Sequence, residues 1–268
     1  MCEFTAVRNL LFAPRPSPYG NDAGTDPEVI AQVDIATAYT QADFFGPEEP
    51  TRYLKVKDPV TGAMRYFWQR GNLYGSASAG KRWERTLAAW FTSKGIDFVQ
   101  GMNEPCAFFH KARGLHILSY CDDLLVRGRR SQVEWFFEQL GARFKIKKPT
   151  YLDKDNMLDH LGMVIFENND GIFLTMQSYI EVMLVKLGLD DVKLGRTRSV
   201  PMSGPITDMA PCTPEERKLF MKATGCIGWI SGTGRPDLRV YHSRISQYMA
   251  NPVRGALDAI LGVIKYCA

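Results

Sequence analysis

The acidic pair Asp122-Asp123 lies in the middle of an apolar run, ILSYCDDLLV, at residues 117–126. The flanking residues are typical of a buried strand, yet burying an unpaired carboxylate costs several kcal/mol. Either something holds the pair out of the core, or a partner neutralises it. A tight hairpin with ILSYC on one strand and LLVRG on the other fits, because Asp tolerates turn geometry and both side chains then reach the open end of the sheet.

A third carboxylate, Asp34, lies in the segment QVDIATAY at the end of a predicted strand. If the fold brings it beside Asp122 and Asp123, the three groups cannot all stay ionised unless cations share the site. Hard divalent cations, above all Mg²⁺, prefer such oxygen ligands. Two of these ions would clamp an attacking hydroxyl and a leaving phosphate, which is the chemistry of phosphoryl transfer.

Two simpler interpretations stay open at this point. The acidic pair could be an ordinary two-residue turn whose side chains face water. Asp34 could be a helix N-cap, because small residues that favour a helix follow it.

Composition narrows the choice between these interpretations only a little. The 268 residues are 45% hydrophobic, which is enough for a sizeable core in one multi-lobed domain or two small ones. The net charge of +4 permits nucleic-acid binding without indicating it. Basic residues cluster at 127–130 and 143–148, as on a solvated face or on a face that tracks a nucleic-acid backbone. The cysteines and histidines form no zinc pattern, and no apolar stretch is long enough to span a membrane.

Strands and helices are mixed in the first part of the chain, and the C-terminal part is helical. Alternation predicts hairpins at 51–57 with 64–70 and at 160–166 with 171–176, and strands at 105–112 and 115–126. Apolar spacing after Ser78 predicts a helix that ends near Gly95. Ser131 and Glu134 predict a capping box for a helix at 131–140 that ends at Gly141. Further helices are predicted at 178–187, 214–231, 236–250 and 253–267.

The motif Tyr-x-Asp-Asp in a hydrophobic hairpin, with an apolar-flanked Asp34 about ninety positions earlier, resembles a reverse transcriptase. More narrowly, the chain resembles the polymerase of copia-type LTR retrotransposons over about residues 31–268. Five ordered segments around the three aspartates make this resemblance more specific than any one motif does. In chain order the segments are 34–44 (DIATAYTQADF), 71–87 (GNLYGSASAGKRWERTL), 95–109 (GIDFVQGMNEPCAFF), 160–184 (HLGMVIF and GIFLTMQSYIEVML) and 225–252 (GCIGWISGTGRPDLRVYHSRISQYMANP).

The resemblance implies an α+β fold. A reverse-transcriptase palm with an antiparallel sheet and helices would occupy residues 31–177, and a helical thumb or connection region would occupy 178–268. Residues 1–30, rich in Pro, Gly, Asn and Asp, are expected to be an irregular N-terminal segment, so the fingers would be incomplete. The implied function is that of an RNA-directed DNA polymerase that transfers nucleotides to a primer 3′-hydroxyl by two-metal chemistry.

The resemblance also assigns the centre of the site. Asp34, Asp122 and Asp123 would be the catalytic carboxylates, and the backbone carbonyl of Ile35 would complete the shell of two Mg²⁺ ions, which Mn²⁺ could replace. Tyr39 takes the place of the aromatic residue that packs under the incoming sugar and excludes a 2′-hydroxyl. A core tyrosine is the alternative for Tyr39.

The nucleotide-cradling segment departs from the family pattern. The K-Q-A-P-R motif of the family is replaced by residues 76–82, SASAGKR, so Ser78, Lys81 and Arg82 are the remaining candidates for binding the triphosphate. The basic finger residues that grip the triphosphate in the family are not recognisable before residue 31.

The resemblance places Tyr120 and Cys121 beside the primer end and matches Leu161 and Gly162 to the primer-gripping hairpin. Gly162 would let a sugar–phosphate backbone approach closely. For Cys121 the alternative is a small buried apolar residue.

The implied partners are an RNA template, a DNA or RNA primer, deoxynucleoside triphosphates and the integrase and RNase H parts of a Pol polyprotein, with no membrane. The expected location is the cytoplasm, in a virus-like particle, or the nucleus. A second hypothesis is a catalytically decayed retroelement fragment that binds primer–template nucleic acid without polymerising, which the missing finger residues and the altered nucleotide motif favour.

Overall fold

The computed structural model describes residues 4–12, 26–189, 191 and 204–268. The chain divides into two compact units, residues 1–152 and 153–268. None of the described helices is both long and apolar enough to cross a membrane.

Among its described residues, the first unit contains, in chain order, α1 (Phe4–Phe12), β1 (Glu28–Asp34), β2 (Arg52–Lys57), β3 (Met64–Gln69), α2 (Ala79–Phe91), β4 (Val99–Gln100), β5 (Ala107–His110), β6 (Leu115–Tyr120), β7 (Asp123–Arg129), α3 (Arg130–Arg143) and β8 (Thr150–Tyr151). A 3₁₀ helix at Ala38–Gln41 follows β1. The strands form a six-stranded sheet in the order β4-β5-β6-β7-β1-β8 and a separate two-stranded sheet, β2-β3, and the strand pairs are antiparallel.

The core of the first unit lies between the large sheet and helices α2 and α3. β7 buries Leu124, Leu125 and Val126 completely, so both faces of this central strand are covered. The helices contribute side chains three or four positions apart, which places them on one face of each helix. Those on α2 are Trp83, Leu87 and Phe91, and those on α3 are Val133, Phe136 and Leu140. Burial of each large apolar side chain stabilises the fold by about 1.5–3 kcal/mol.

Among its described residues, the second unit contains, in chain order, β9 (Leu158–His160), β10 (Met163–Asn168), β11 (Gly171–Thr175), α4 (Gln177–Lys186), α5 (Pro214–Thr233), α6 (Arg239–Ser246) and α7 (Arg254–Cys267), with a 3₁₀ helix at Pro236–Leu238. The three strands form an antiparallel sheet in the order β11-β10-β9. A capping box begins α5: Thr213 Oγ1 accepts from the Glu216 backbone N–H at 3.2 Å, and the Glu216 carboxylate accepts from the Thr213 N–H at 2.7 Å.

Most predicted elements are present. The described chain is a mixed α/β structure with antiparallel sheets and seven α-helices, which is consistent with the predicted α+β class. The hairpins β2-β3 and β10-β11 confirm the two hairpin predictions. The predicted strand at 115–126 is in fact two strands, β6 and β7, with the acidic pair where they meet.

The expectation of an irregular segment over residues 1–30 is wrong where the structure describes it. Helix α1 lies at Phe4–Phe12, and β1 begins at Glu28. α1 buries Val7, Leu10 and Leu11, whose spacing is that of one helix face. The Pro- and Gly-rich composition of the segment as a whole obscured this short periodic stretch; residues 1–3 and 13–25 lie outside the described residues.

The predicted start of α3 is also wrong. The helix begins at Arg130, so Ser131 is not its N-cap, and no capping box forms with Glu134. The helix continues past Gly141 to Arg143. Instead, the Ser131 N–H and hydroxyl donate to the carboxylate of Asp26, at 2.9 and 2.7 Å. A remote carboxylate thus binds the first turn, which local spacing could not reveal. The predicted helix at 236–250 is a 3₁₀ turn followed by the shorter α6.

We predict that His160 makes the second unit sensitive to acid. Its side chain is fully buried, neither ring nitrogen has a hydrogen-bond partner, and burial lowers its pKa from 6.5 to about 4. The unfolded chain therefore takes up this proton at higher pH than the folded chain, so stability present above about pH 6.5 is lost as the pH falls towards 4.

Urea unfolding of the wild type and of His160→Leu at neutral pH and near pH 4.5 measures this effect. The variant should avoid up to about 3 kcal/mol of the acid destabilisation. Carboxylate protonation affects both proteins equally, so identical pH dependences would show that His160 does not cause it.

Candidate functional site

The acidic pair lies at a hairpin tip. β6 and β7 are joined by a two-residue turn, Cys121-Asp122, and Tyr120 pairs with Asp123 across it. Cys121 has a positive φ of 57°, as the first position of a type II′ hairpin turn requires, whereas the φ of Asp122 is not positive. The turn places Asp122 at the tip and Asp123 at the first position of β7.

The neighbouring strand brings in the third carboxylate. β1 pairs with β7 in a register that sets its last residue, Asp34, directly opposite Asp123. Residues opposite each other in antiparallel strands have Cβ atoms about 4.5–5.5 Å apart. The next backbone N–H, that of Ile35, donates to the carbonyl of Asp122 at 2.8 Å. The structure thus gathers Asp34, Asp122 and Asp123 at one end of one sheet.

This clustering is visible in the electrostatics of Asp123. Its pKa is raised first by burial and then by the negative charges of Asp122 and Asp34. The amide of Gln32 donates to Asp123 Oδ1 at 3.5 Å and lowers this pKa, but burial and the neighbouring charges outweigh it. Because the charges repel, a cation shared by the three groups would favour the ionised cluster.

Lys147 supplies positive charge at this place. Its Nζ lies 3.0 Å from Asp34 Oδ1, and its backbone N–H donates to the carbonyl of Asp34 at 2.8 Å. The bond to Asp34 raises the pKa of Lys147. In the part of the chain that the structure describes, no group of three or more His, Cys, Asp or Glu side chains is arranged to hold a metal ion. Backbone pairing thus brings the three carboxylates together, and the Asp34 carboxylate is paired with the Lys147 ammonium group.

Two aromatic side chains hold the turn. Trp83 Nε1 donates to the carbonyl of Cys121 at 2.7 Å, and Cys121 Sγ donates to the phenol oxygen of Tyr39 at 3.1 Å. The contact with Cys121 is the main reason that the pKa of Tyr39 is raised to about 12, and burial raises the pKa of the Cys121 thiol. The ring of Tyr39 lies 5.1 Å from that of Tyr74. Sequence periodicity predicted Trp83 only as a core residue of α2, and it gave no sign of this bond.

The first turn of α2 lies beside Tyr39. A Cβ at Gly80 would be 3.9 Å from the Tyr39 hydroxyl, which is ordinary van der Waals contact. Ser78 and Lys81 are exposed on the same turn, and the Ser78 side chain makes no capping hydrogen bond. These two predicted nucleotide-binding residues therefore lie on the turn beside Tyr39, with accessible side chains.

Arg82 is arranged differently. Its guanidinium forms an ion pair with Glu49 and lies 4.7 Å from the centroid of the Phe45 ring. These contacts hold the side chain in a local cluster, so Arg82 would have to exchange Glu49 for a phosphate before it could bind a nucleotide.

Leu161 and Gly162 form the two-residue turn between β9 and β10, with His160 and Met163 paired across it. Their φ angles of 57° and 73° are both left-handed, as in a type I′ turn. Asn-Gly is the preferred sequence for this turn, and the left-handed conformation costs a residue such as Leu about 1–2 kcal/mol. Backbone strain of this kind clusters at functional sites. This turn lies in the second unit of the chain.

The fold and the acidic cluster define a mixed α/β domain with carboxylates gathered at one sheet end, and comparison with known proteins shows what this domain is similar to. No family model matches the chain. It is 23% identical over 254 residues to the retrovirus-related Pol polyprotein from transposon TNT 1-94 of Nicotiana tabacum, covering 88% of this chain and 18% of that protein. It is 23% identical over 242 residues to the transposon Ty5-1 protein YCL074W of Saccharomyces cerevisiae, covering 87% of this chain and 74% of that protein.

A third relative is the retrovirus-related Pol polyprotein from transposon RE1 of Arabidopsis thaliana, 24% identical over 246 residues, with 89% of this chain and 16% of that protein covered. Over most of its length, and at low identity, this chain thus has copia-type retrotransposon Pol polyproteins as its homologues. It spans less than a fifth of the length of the tobacco and Arabidopsis polyproteins.

We predict that Leu161→Asn is more stable than Leu161→Ala by about 0.5–1 kcal/mol in urea unfolding. Both substitutions remove the leucine side chain, but only Asn tolerates the left-handed conformation of this turn. Equal stabilities, or a more stable Ala variant, would show that the backbone at residue 161 is not strained.

Proposed function

We propose that the chain is the RNA-directed DNA polymerase part of a copia-type retrotransposon, with a palm built on the six-stranded sheet. The observation that carries this proposal is the register of β1 with β7, which sets Asp34 opposite Asp123 and beside the turn residue Asp122. The proposed reaction is attack of a primer 3′-hydroxyl on the α-phosphate of a deoxynucleoside triphosphate, with release of pyrophosphate.

The donor set suits two Mg²⁺ ions, or Mn²⁺, because hard divalent cations prefer carboxylate and carbonyl oxygens. Asp34, Asp122 and Asp123 would hold them together with the carbonyl of Ile35, once the Asp34 carboxylate leaves Lys147. When bound, such ions supply an activated hydroxyl and offset the charge that develops on the transferred phosphoryl group.

The other proposed roles concern positioning. Tyr39, fixed by Cys121, would pack under the incoming sugar and exclude a 2′-hydroxyl. Ser78 and Lys81, exposed on the adjacent turn of α2, would meet the triphosphate. Tyr120, at the end of β6, would lie with Cys121 beside the primer end.

The strained turn at Leu161 and Gly162 would contact the primer backbone. The proposed partners are an RNA template, a DNA or RNA primer, deoxynucleoside triphosphates, and the integrase and RNase H parts of a Pol polyprotein. The proposed location is a cytoplasmic virus-like particle or the nucleus.

A second candidate is a fragment that binds primer–template nucleic acid without polymerising. Two contacts favour it: Lys147 pairs with Asp34, and Arg82 pairs with Glu49, so charges needed for metal and phosphate binding are already engaged. Filter binding combined with primer extension separates the candidates. Hybrid binding without divalent-ion-dependent incorporation would select the second.

We expect Asp122→Asn to reduce primer extension by at least about 100-fold, because it removes one of the three carboxylates that would hold the divalent ions. The matched control is Asp258→Asn, an exposed position on α7, which should extend primers like the wild type. Circular dichroism would verify that both variants fold. Wild-type extension by Asp122→Asn would remove this residue from the proposed site.

We also expect Lys147→Gln to tighten Mn²⁺ binding by about two- to fivefold. In this variant Mn²⁺ no longer has to displace the Lys147 ammonium group from its exposed ion pair with Asp34. Free Mn²⁺ is measured by electron paramagnetic resonance, with the exposed neighbour Lys148→Gln as the control for net charge. If both substitutions have the same effect, Lys147 does not compete for the Asp34 carboxylate.

A further inference from the structure

The hairpin β2-β3 exposes an unusual amount of aromatic surface. Its two strands pair with each other and with no other strand in the described part of the chain. Tyr53, Tyr66 and Trp68 are 67%, 65% and 62% exposed. Tyr53 lies directly opposite Trp68, and Tyr66 is two positions from Trp68, so strand alternation puts the three rings on one face.

Two lysines share this face. Lys55 and Lys57 lie two and four positions after Tyr53 on β2, so they share its face, and both are exposed. Lys55 is opposite Tyr66, and its Nζ lies 6.0 Å from the centroid of that ring. Arg70, just after β3, lies with its guanidinium 5.3 Å from the Trp68 ring. We call Tyr53, Lys55, Lys57, Tyr66 and Trp68 the aromatic–lysine face.

No acidic residue neutralises this face from within the hairpin. Asp58 is the one acidic residue between positions 52 and 70, and it lies in the turn. It forms a 2.7 Å ion pair with Arg65, whose place in the strand is on the opposite face. The lysine charges are therefore available to a ligand.

The turn makes the hairpin a preformed platform. Asp58 Oδ1 accepts from the backbone N–H groups of Val60 and Thr61 at 2.9 and 3.0 Å, and the Asp58 N–H donates to the Ala63 carbonyl at 2.8 Å. Gly62 has a φ of 71°, which the turn requires. A fixed turn holds the strand register, so the rings are positioned before any ligand arrives.

We propose that the aromatic–lysine face binds single-stranded nucleic acid. Exposed rings on neighbouring strands stack bases without reading their sequence, and interleaved lysines pair with the phosphates. An apolar protein surface would instead leave the charges of Lys55 and Lys57 buried without partners. The inference deepens the proposed function, and the choice of a nucleic acid over other polyanions rests on that function. It gives the hairpin the role of binding nucleic acid that is not base-paired.

The test is fluorescence anisotropy of the full chain with a labelled oligothymidylate of about 12 nucleotides, without divalent ions. Tyr66→Ala and Trp68→Ala should each weaken binding by about 5- to 150-fold, the loss of one stacked base. Phe67→Ala is the matched control, because Phe67 lies between the two on the same strand, is 50% exposed and is on the opposite face. It should bind like the wild type.

The salt dependence tests the lysines separately. Lys55→Gln and Lys57→Gln should each lower the slope of log affinity against log salt concentration by about 0.7, the value for one phosphate contact on a single strand. Slopes equal to that of the wild type would remove the lysines from the contact and overturn the proposal.

Two further outcomes would overturn it. One is equal affinity of Trp68→Ala, Phe67→Ala and the wild type for the oligonucleotide. The other is a change in oligomeric state on sedimentation of Trp68→Ala with unchanged oligonucleotide affinity, which would make the face a protein interface. Hairpin-dependent binding by a wild type that does not extend primers would support this inference and defeat the polymerase.

Discussion

The antiparallel register of β1 with β7 determines where the acidic side chains lie. A slip of one residue would move the side chains of β1 to the opposite face of the sheet. Val33 is 2% exposed, and Leu124 and Val126 are fully buried, so the register is held by burial of these apolar side chains. The apolar residues around the aspartates thus fix Asp34 opposite Asp123 at the end of the sheet.

This arrangement brings together groups that repel each other, and the surrounding structure compensates. The ammonium group of Lys147 pairs with Asp34, and the indole of Trp83 fixes the carbonyl of Cys121, which has a left-handed backbone. Leu161 is held in a similar conformation at the other predicted nucleic-acid contact. The chain therefore accepts local strain and charge repulsion at the positions that the proposed reaction would use.

The sequence allowed the hairpins and most helices to be predicted, because alternation, helical spacing and turn residues are local signals. The proximity of Asp34 to the acidic pair could be expected from the family resemblance but not from spacing alone. It depends on the pairing of two strands that are roughly ninety positions apart in the chain. Four contacts that sequence reasoning missed join residues far apart in the chain. They are the Lys147 ion pair with Asp34, the Trp83 bond to Cys121, the Arg82 pair with Glu49 and the Asp26 contacts at the start of α3.

The most direct test of the central claim is paramagnetic broadening of backbone amide signals by Mn²⁺. If Asp34, Asp122 and Asp123 share one divalent-ion site, low Mn²⁺ should broaden the amides of residues 33–36 and 121–124 together, and excess Mg²⁺ should restore both sets. Broadening of only one of these segments, or of neither, would contradict the account, because the two strand ends would then not hold an ion between them.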